Sequence, residues 1–342
     1  MRYSSGMSSD SHQHRPQRRE HVAPRRNYSN RYGAAQLADQ QVEAATRELR
    51  ERLERAEAQS ADRKLVGEAV GYAWKILTFL GYPDFDALRS LPTEEWPAAI
   101  EPNQHGLVAL ALETIGWHHY GLRRYDIDRT ARVFDRCLEL TPHNQRALER
   151  FAIVANEIQP EHIGGLAKFP KKQKETAMGY KLQCKRKVDE ILLDVFGIGE
   201  GHLVGQTEPG VVELMRSFKD RDKRFVFNIL GHLSKMNCVI GDFFENGTML
   251  SLGMGAACCQ LEILGLPRDI HNVIPVCLSR LDEDSSGQVA GEETPILCDI
   301  LRTISAISAS KARIFHNQAA ARRVQEIADL LGKIERTSLR PE

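Results

Sequence analysis

The stretch ILLDVFGIGEGHLVG, from Ile191 to Gly205, settles which fold class the sequence encodes. An apolar run that ends in closely spaced glycines is typical of two structures: a strand before a phosphate-binding turn, or a helix before an interhelix turn. The next segment, Glu208 to Phe243, has apolar or buried-type residues at helical spacing, namely Val212, Met215, Phe218, Phe225, Ile229, His232 and Leu233. Because strand signals are few elsewhere, we predict an all-α fold.

The three glycines Gly197, Gly199 and Gly201 resemble the nucleotide loop of methyltransferases and Rossmann proteins. That resemblance implies that a phosphate or a cofactor approaches the backbone at the glycines. It also implies alternating strands and helices downstream, and the sequence lacks that alternation. We therefore expect a glycine-rich turn between helices here.

A second informative run, LDEDSSGQVAGEE from Leu281 to Glu293, spaces oxygen ligands around one glycine. The candidate ligands are the side chains of Asp282, Asp284, Ser286 and Glu293 and the main-chain carbonyl of Gln288. Calcium takes about six to eight oxygens, and Gly287 permits the sharp turn among them. The run resembles the loop of EF-hand proteins, which implies a flanking helix on each side and a bound calcium ion.

The residues after this loop leave another interpretation open. Thr294-Pro295 can cap and begin an ordinary helix, in which case the run is an acidic connection between two helices. A partial second loop starts at Asp242 and includes Asn246, but Phe244 and Gly253 stand where ligand oxygens are needed. Over about residues 225–307, the EF-hand resemblance thus implies one working site and one structural partner.

The overall charge of the chain is zero. Lysine plus arginine and aspartate plus glutamate both total 46 in 342 residues, so any attraction to nucleic acid or to a membrane must be local. No run approaches about 18 apolar residues and the N-terminus has no apolar leader, so we expect no membrane contact and an intracellular, cytoplasmic location. The seven cysteines are expected to be reduced core thiols, with Cys258 and Cys259 buried on one helix.

Residues 1–33 lack apolar periodicity and are predicted to form a disordered basic arm. The candidate nucleic-acid contacts are Arg15, Arg18, Arg19, Arg25, Arg26 and Arg31. Arginines neutralise phosphates and the nearby tyrosines can stack on bases, so the arm is the candidate site for RNA or an acidic partner. A solvated tail or a targeting segment is the alternative.

Residues 34–64 are predicted to form an amphipathic helix with a narrow apolar stripe. The stripe consists of Val42, Ala45, Leu49, Leu53 and Ala56. It is shorter than a self-sufficient coiled coil requires. The helix therefore either pairs with a second copy through residues 35–58, giving a homo-oligomer, or lies across its own body; we favour self-association.

Residues 65–165 are predicted to form a repeat-like helical layer. Within it, the run LELTPHNQRAL, together with Phe134 and Phe151, resembles a tetratricopeptide repeat. Over about residues 107–158, that resemblance implies two packed antiparallel helices, with Pro142 ending one of them. An ordinary helical hairpin inside a larger helical domain is the alternative.

The remaining boundaries follow from composition. Residues 166–207 are predicted to be a basic and glycine-rich connection, residues 208–336 a helical domain that contains the loop 282–293, and residues 337–342 a tail. The basic residues of the connection are expected to face solvent and to offer a second contact for an anion; they are Lys168, Lys171, Lys172, Lys174, Lys181, Lys185, Arg186 and Lys187.

The sequence shows no catalytic constellation, so we predict that the protein is not an enzyme. One hypothesis is a helical interaction protein that binds other proteins and responds to calcium through the loop. The other is an RNA-binding packaging or nucleocapsid-associated protein that uses the arm and self-association, with the acidic loop purely structural.

Overall fold

The computed structural model describes residues 28–58, 63–81, 100–121, 127–162, 168–273, 275–276 and 293–338. These residues contain helices and turns and no strand, which confirms the predicted all-α fold. Most of the predicted arm and of the acidic loop, together with residues 339–342, lies outside the described residues. None of the described helices combines the length and apolarity that spanning a membrane requires.

The helices are numbered here in chain order. They are α1 (Tyr28–Ala58), α2 (Arg63–Phe79), α3 (His105–Gly121), α4 (Ile127–Leu140), α5 (Gln145–Glu157), α6 (Pro170–Phe196), α7 (Glu200–Leu203), α8 (Val211–Met215), α9 (Asp220–Phe243), α10 (Gly247–Ile263), α11 (Glu293–Phe315) and α12 (Gln318–Ser338). Short 3-10 turns at Pro102–Gln104 and Pro160–His162 precede α3 and follow α5.

The helices pack in nearly the order in which the chain makes them. Each of α1 to α5 lies against the next, α5 and α6 both lie against α9, and α9 to α12 continue the series. A large apolar core runs from α1 to α10, and a second core joins α10, α11 and α12. Neighbour-to-neighbour packing, which is also found in helical repeat proteins, holds for α1 to α5, whereas α9 contacts α5, α6, α10 and α11.

The predicted hairpin is present as α4 and α5. Asn144 begins α5, because its side-chain oxygen accepts a hydrogen bond from the Ala147 amide at 3.1 Å. Phe134 of α4 and Phe151 of α5 are both fully buried. The pair therefore has the packed helices that the repeat-like residues predict, although the described contacts fit an ordinary helical hairpin equally well.

The apolar stripe of α1 is not free to pair with a second copy. Its members Val42, Ala45, Leu49, Leu53 and Ala56 are all buried within the chain. They lie against α2, and Arg52 of α1 forms a 2.9 Å ion pair with Glu68 of α2. The stripe is thus covered within the chain, and self-association through residues 35–58 stays a prediction that would need another surface of α1, because internal burial removes the apolar area a partner would cover.

Two predicted boundaries also change. Helix α1 begins at Tyr28, so the predicted arm ends before residue 33. Residues 166–207 do not form a connection, because α6 takes up most of this range as a 27-residue helix. Pro170 occupies its first turn, where a missing amide costs nothing. Gly197 ends it at φ 69°, and the Ile198 amide donates to the Leu192 carbonyl at 2.8 Å.

Candidate functional site

Four of the five predicted calcium ligands, Asp282, Asp284, Ser286 and Gln288, lie outside the described residues. The fifth, Glu293, is the first residue of α11. A helix that starts at the last ligand position is what an EF-hand loop requires, and it is equally what a Thr294-Pro295 helix start requires.

The upstream segment that resembles a second calcium loop has a different structure. Residues 247–263 are helical, so a tight turn joins α9 and α10 where the resemblance implies a long loop. The Asn246 side chain caps α10 by accepting from the amides of Thr248 and Met249. Asp242 accepts a hydrogen bond from Arg313 at 2.6 Å. The two candidate oxygens are thus used by protein groups, and this segment is not a structural partner loop.

Partners also set the ionisation of Asp242. Burial alone would raise the pKa of this carboxyl group, but hydrogen bonds from Ser310 and Arg313 lower it below its usual value. Asp242 is therefore stabilised in its ionised form by two side chains of α11. Among the described residues, no three His, Cys, Asp or Glu side chains lie close enough together to hold a metal ion.

The predicted nucleic-acid contacts of the arm lie almost entirely outside the described residues. Arg15, Arg18, Arg19, Arg25 and Arg26 lie outside the described residues. Arg31 belongs to α1, but its side chain is not described.

The glycine-rich stretch is an interhelix turn, as predicted. Arg268 donates to the carbonyls of His202 and Leu203, so the turn presents acceptors to a cation. On the other side, α10 approaches so closely that a Cβ on Gly255 would lie 2.3 Å from the Leu203 carbonyl oxygen. Gly255 therefore permits close packing of backbone on backbone, whereas Gly201 leaves room for the Thr207 hydroxyl, which would lie 2.3 Å from a Cβ there.

The basic segment departs from the expectation that all of it faces solvent. Lys181 is 3% exposed and Lys185 is 5% exposed, because both lie on the core face of α6. The Lys181 Nζ donates to the carbonyls of Ala155 and Asn156, at the C-terminal end of α5. These carbonyls have no partner within their own helix, so the buried ammonium group caps α5. Burial lowers the pKa of Lys181 to about 8, which leaves it protonated near neutral pH.

A half-buried polar group joins α5 to α9. The Asn156 amide donates to the Ala152 carbonyl and to the His232 carbonyl, and it contacts the His232 Nδ1 at 3.2 Å. Burial, with a smaller contribution from Lys235, lowers the pKa of His232 to about 4. His232 is therefore neutral near pH 7, and its Nδ1 can accept the amide proton.

The other buried charges in this layer neutralise one another. Asp135 of α4 accepts from Gln183 at 2.7 Å and from Lys187 at 2.6 Å, both on α6. Lys185 pairs with Asp189 and, at 3.3 Å, with Glu200. Ion pairs of this kind fix the positions of α4, α6 and α7, and they leave no isolated charge for chemistry.

A buried acidic side chain of α3 is likewise paired with basic side chains of α5. Glu113 of α3, which is almost fully buried, is approached by Arg146 at 2.8 Å and by Arg150, both on α5. The Arg150 guanidinium also lies 4.8 Å above the Trp117 ring. The buried carboxylate is thus paired with two guanidinium groups, one of which also lies on an aromatic ring.

The opposite face of α6 is exposed and basic. Lys168, Lys171, Lys172 and Lys174 are exposed around its first turns, beside Phe169, which is 60% exposed. An open depression of about 550 Å³ follows on this face; its lining residues are Thr176, Gly179, Tyr180, Leu182, Gln183 and Arg186. This part of the basic segment faces solvent as predicted.

The two neighbouring cysteines of α10 differ from each other. Cys259 is fully buried, as predicted, and Cys258 is only partly buried. Burial raises the pKa of Cys259 to about 12 and also raises that of Cys258, although Arg268 acts in the opposite direction on both. The prediction that both are buried thus holds fully for Cys259 and only partly for Cys258, and the raised pKa disfavours the reactive thiolate at both.

The sequence contains a signal for the buried lysines that the basic composition obscured. Lys181 follows Ala177 by four residues and precedes Cys184 by three, which places it in the apolar stripe of α6. The partners of Lys181 and His232 have no such local signal. No family model, curated protein or solved structure matches this chain.

Proposed function

We propose that this chain is a non-catalytic helical protein that binds other proteins and that responds to calcium through the loop 282–293. The observation that carries the proposal is the packing of the helices in chain order. Stacked helices of this kind leave long outer faces, which repeat proteins use to bind partners. The described cysteines are free thiols, which fits a reducing, cytoplasmic compartment.

Calcium would act through α11. This helix begins at Glu293, the proposed bidentate ligand, and lies against α9, α10 and α12. Near its start, Asp299 pairs with Lys235 of α9 at 2.7 Å, and Ile296 is partly exposed. Coordination of calcium by Glu293 would shift the N-terminal end of α11. That shift would change how much apolar surface near Ile296 is exposed to a partner.

Calorimetry with calcium on the full chain tests this proposal. We expect about one ion per chain with a dissociation constant on the order of micromolar or weaker, since only one loop has a complete ligand set. Glu293→Gln removes a charged ligand and Gly287→Ala disturbs the turn, so both should weaken binding. Glu213→Gln, an exposed acid on α8, is the matched control for loss of charge. Absence of heat and of any change in helicity or melting temperature would rule out the calcium site.

A second candidate function is RNA binding through the arm, and the exposed lysines of α6 favour it. Replacing Arg18, Arg19, Arg25 and Arg26 with alanine should flatten the dependence of binding on salt. A protein that neutralises fewer phosphates releases fewer counterions from the RNA when it binds. An unchanged slope in a filter-binding titration would exclude the arm as the contact.

A further inference from the structure

We propose that the outer face of α6 binds single-stranded nucleic acid. The outer face consists of Lys172, Thr176, Gly179, Gln183 and Arg186, which recur four or three residues apart and so share one side of the helix. The proposed site also includes Lys168, Phe169, Lys171 and Lys174, which are exposed around the N-terminal end of the same helix. This goes beyond the proposed function, because the site belongs to the folded body and uses neither the calcium loop nor the arm.

Unbalanced positive charge is the first reason. Among the described residues, no acidic group pairs with the four exposed lysines at 168, 171, 172 and 174. Helix α6 has no acidic residue in its first turn, and Phe169 provides no side-chain cap. Cations at a helix N-terminus are unfavourable because the backbone dipole is positive there. A polyanion relieves this local repulsion, whereas the buried lysines Lys181 and Lys185 already have partners inside the chain.

Aromatic side chains beside the charges are the second reason. Phe169 is 60% exposed next to the lysines, and Tyr180 lines the depression one helical segment further on. Leaving the apolar faces of this large aromatic ring in water is unfavourable, so covering them with a ligand is favourable. Bases stack on such rings while the backbone phosphates contact the cations.

The third reason is the shape of the surface. Gly179 has no neighbour within 4 Å of the position a Cβ would take, so the middle of the outer face is open. Thr176 and Gln183 line it, although both already donate within the chain, since the Thr176 hydroxyl donates to the Lys172 carbonyl and the Gln183 amide donates to Asp135. Arg186 supplies a planar cation at the far end. Lys172 and Arg186 are separated by about 21 Å along the helix axis, which gives a strand several contacts in a row.

The charge contribution is tested with labelled oligouridylate and oligothymidylate on the full chain, by fluorescence anisotropy over a range of salt concentrations. The variant Lys171→Ala/Lys172→Ala/Lys174→Ala should lower the slope of log K against log salt by about 2, since each single-strand phosphate contact contributes about 0.7. The matched control is Arg216→Ala/Lys219→Ala/Arg221→Ala, which removes the same charge from exposed residues near α8 and α9. Equal binding of both oligonucleotides supports a site that accepts RNA and DNA alike. A preference for one of them shows whether the natural ligand is RNA or DNA.

The stacking contribution is tested separately. Phe169→Ala should weaken binding about tenfold without changing the salt slope, and Phe169→Trp should restore it. If the lysine variant keeps the slope of the control, the contact lies elsewhere and the proposal is wrong. If polyglutamate competes as well as the oligonucleotides and Phe169→Ala has no effect, the surface binds acidic peptides, which also overturns the proposal.

Discussion

Two asparagines with opposite surroundings show how individual polar groups set the stability of this protein. Asn237 of α9 is fully buried, and neither its amide nitrogen nor its amide oxygen has a hydrogen-bond partner. Gly253 of α10 lies against it, since a Cβ there would be 3.1 Å from the Asn237 Cβ. Asn156, in contrast, donates to two carbonyls and contacts His232. One amide therefore destabilises the fold and the other stabilises it.

We predict that Asn237→Leu stabilises the protein by about 1–3 kcal/mol, because leucine has nearly the same shape and removes a buried unpaired amide. Asn156→Leu is the matched control and should destabilise by a similar amount, since it removes the amide that joins α5 to the His232 carbonyl and Nδ1 of α9. Urea unfolding of both variants measures the difference. Destabilisation by Asn237→Leu would show that its amide is hydrogen-bonded in solution.

Helices α1 and α6 show that an element can satisfy its local pattern in more than one way. The apolar stripe of α1 is correct in the sequence, and α2 covers it in the folded chain. Helix α6 has a proline start, a glycine end and an apolar stripe that includes two lysines. Its basic composition masks these signals, because long lysine stems can lie in a core when their ends reach partners.

The assignment of the α1 stripe to the monomer gives a prediction. Leu49 is fully buried, so Leu49→Ala should cost about 2–5 kcal/mol of unfolding free energy, independent of protein concentration. Arg47→Ala, on the exposed side of the same helix, should change stability by less than about 0.5 kcal/mol. Unfolding of the wild type that shifts with concentration, and a Leu49→Ala effect confined to subunit dissociation, would instead place the stripe in an oligomer interface.

A second prediction concerns α10. Cys259 should resist alkylation in the native protein, because it is fully buried and burial raises its pKa to about 12. Cys258 is partly exposed and should react slowly but measurably. Mass spectrometry after timed labelling, with and without urea, distinguishes the two sites. Equal rates in the native state would contradict the described orientation of α10.

For the molecule as a whole, the buried bases make stability depend on pH. The pKa of His232 falls from 6.5 to about 4 on folding, so the unfolded chain binds more protons between these values. Stability therefore decreases as pH falls from about 6.5 toward 4, by about 3 kcal/mol from this group. Lys181 acts in the same direction at alkaline pH, and its contribution to stability rises between about pH 8 and 10.5.

The acid-side effect is measurable by difference. In His232→Gln the side chain has no proton to bind, so this variant should lose less stability than the wild type between about pH 6.5 and 4. Chemical unfolding at several pH values gives the comparison. Parallel curves for the two proteins would mean that His232 is already charged or solvated in the folded state.

Local patterns in the chain predicted much of this molecule. The helical hairpin of α4 and α5, the apolar stripe of α1 and the turn at Gly197 all follow from helical spacing, caps and breakers, because these signals act over a few residues. The candidate calcium ligands and arm arginines also come from local spacing, and most lie outside the described residues.

Contacts between distant parts of the chain needed the folded structure. Asn156 and His232 are 76 residues apart, and Lys181 donates to the Asn156 carbonyl, which is 25 residues away, so no helical periodicity links these partners. For the same reason, the apolar stripe of α1 did not predict which surface would cover it, since one apolar surface can be covered by any other. Helical periodicity fixes which face of a helix is apolar, and only the packing of all helices fixes what that face touches and which charges are buried with it.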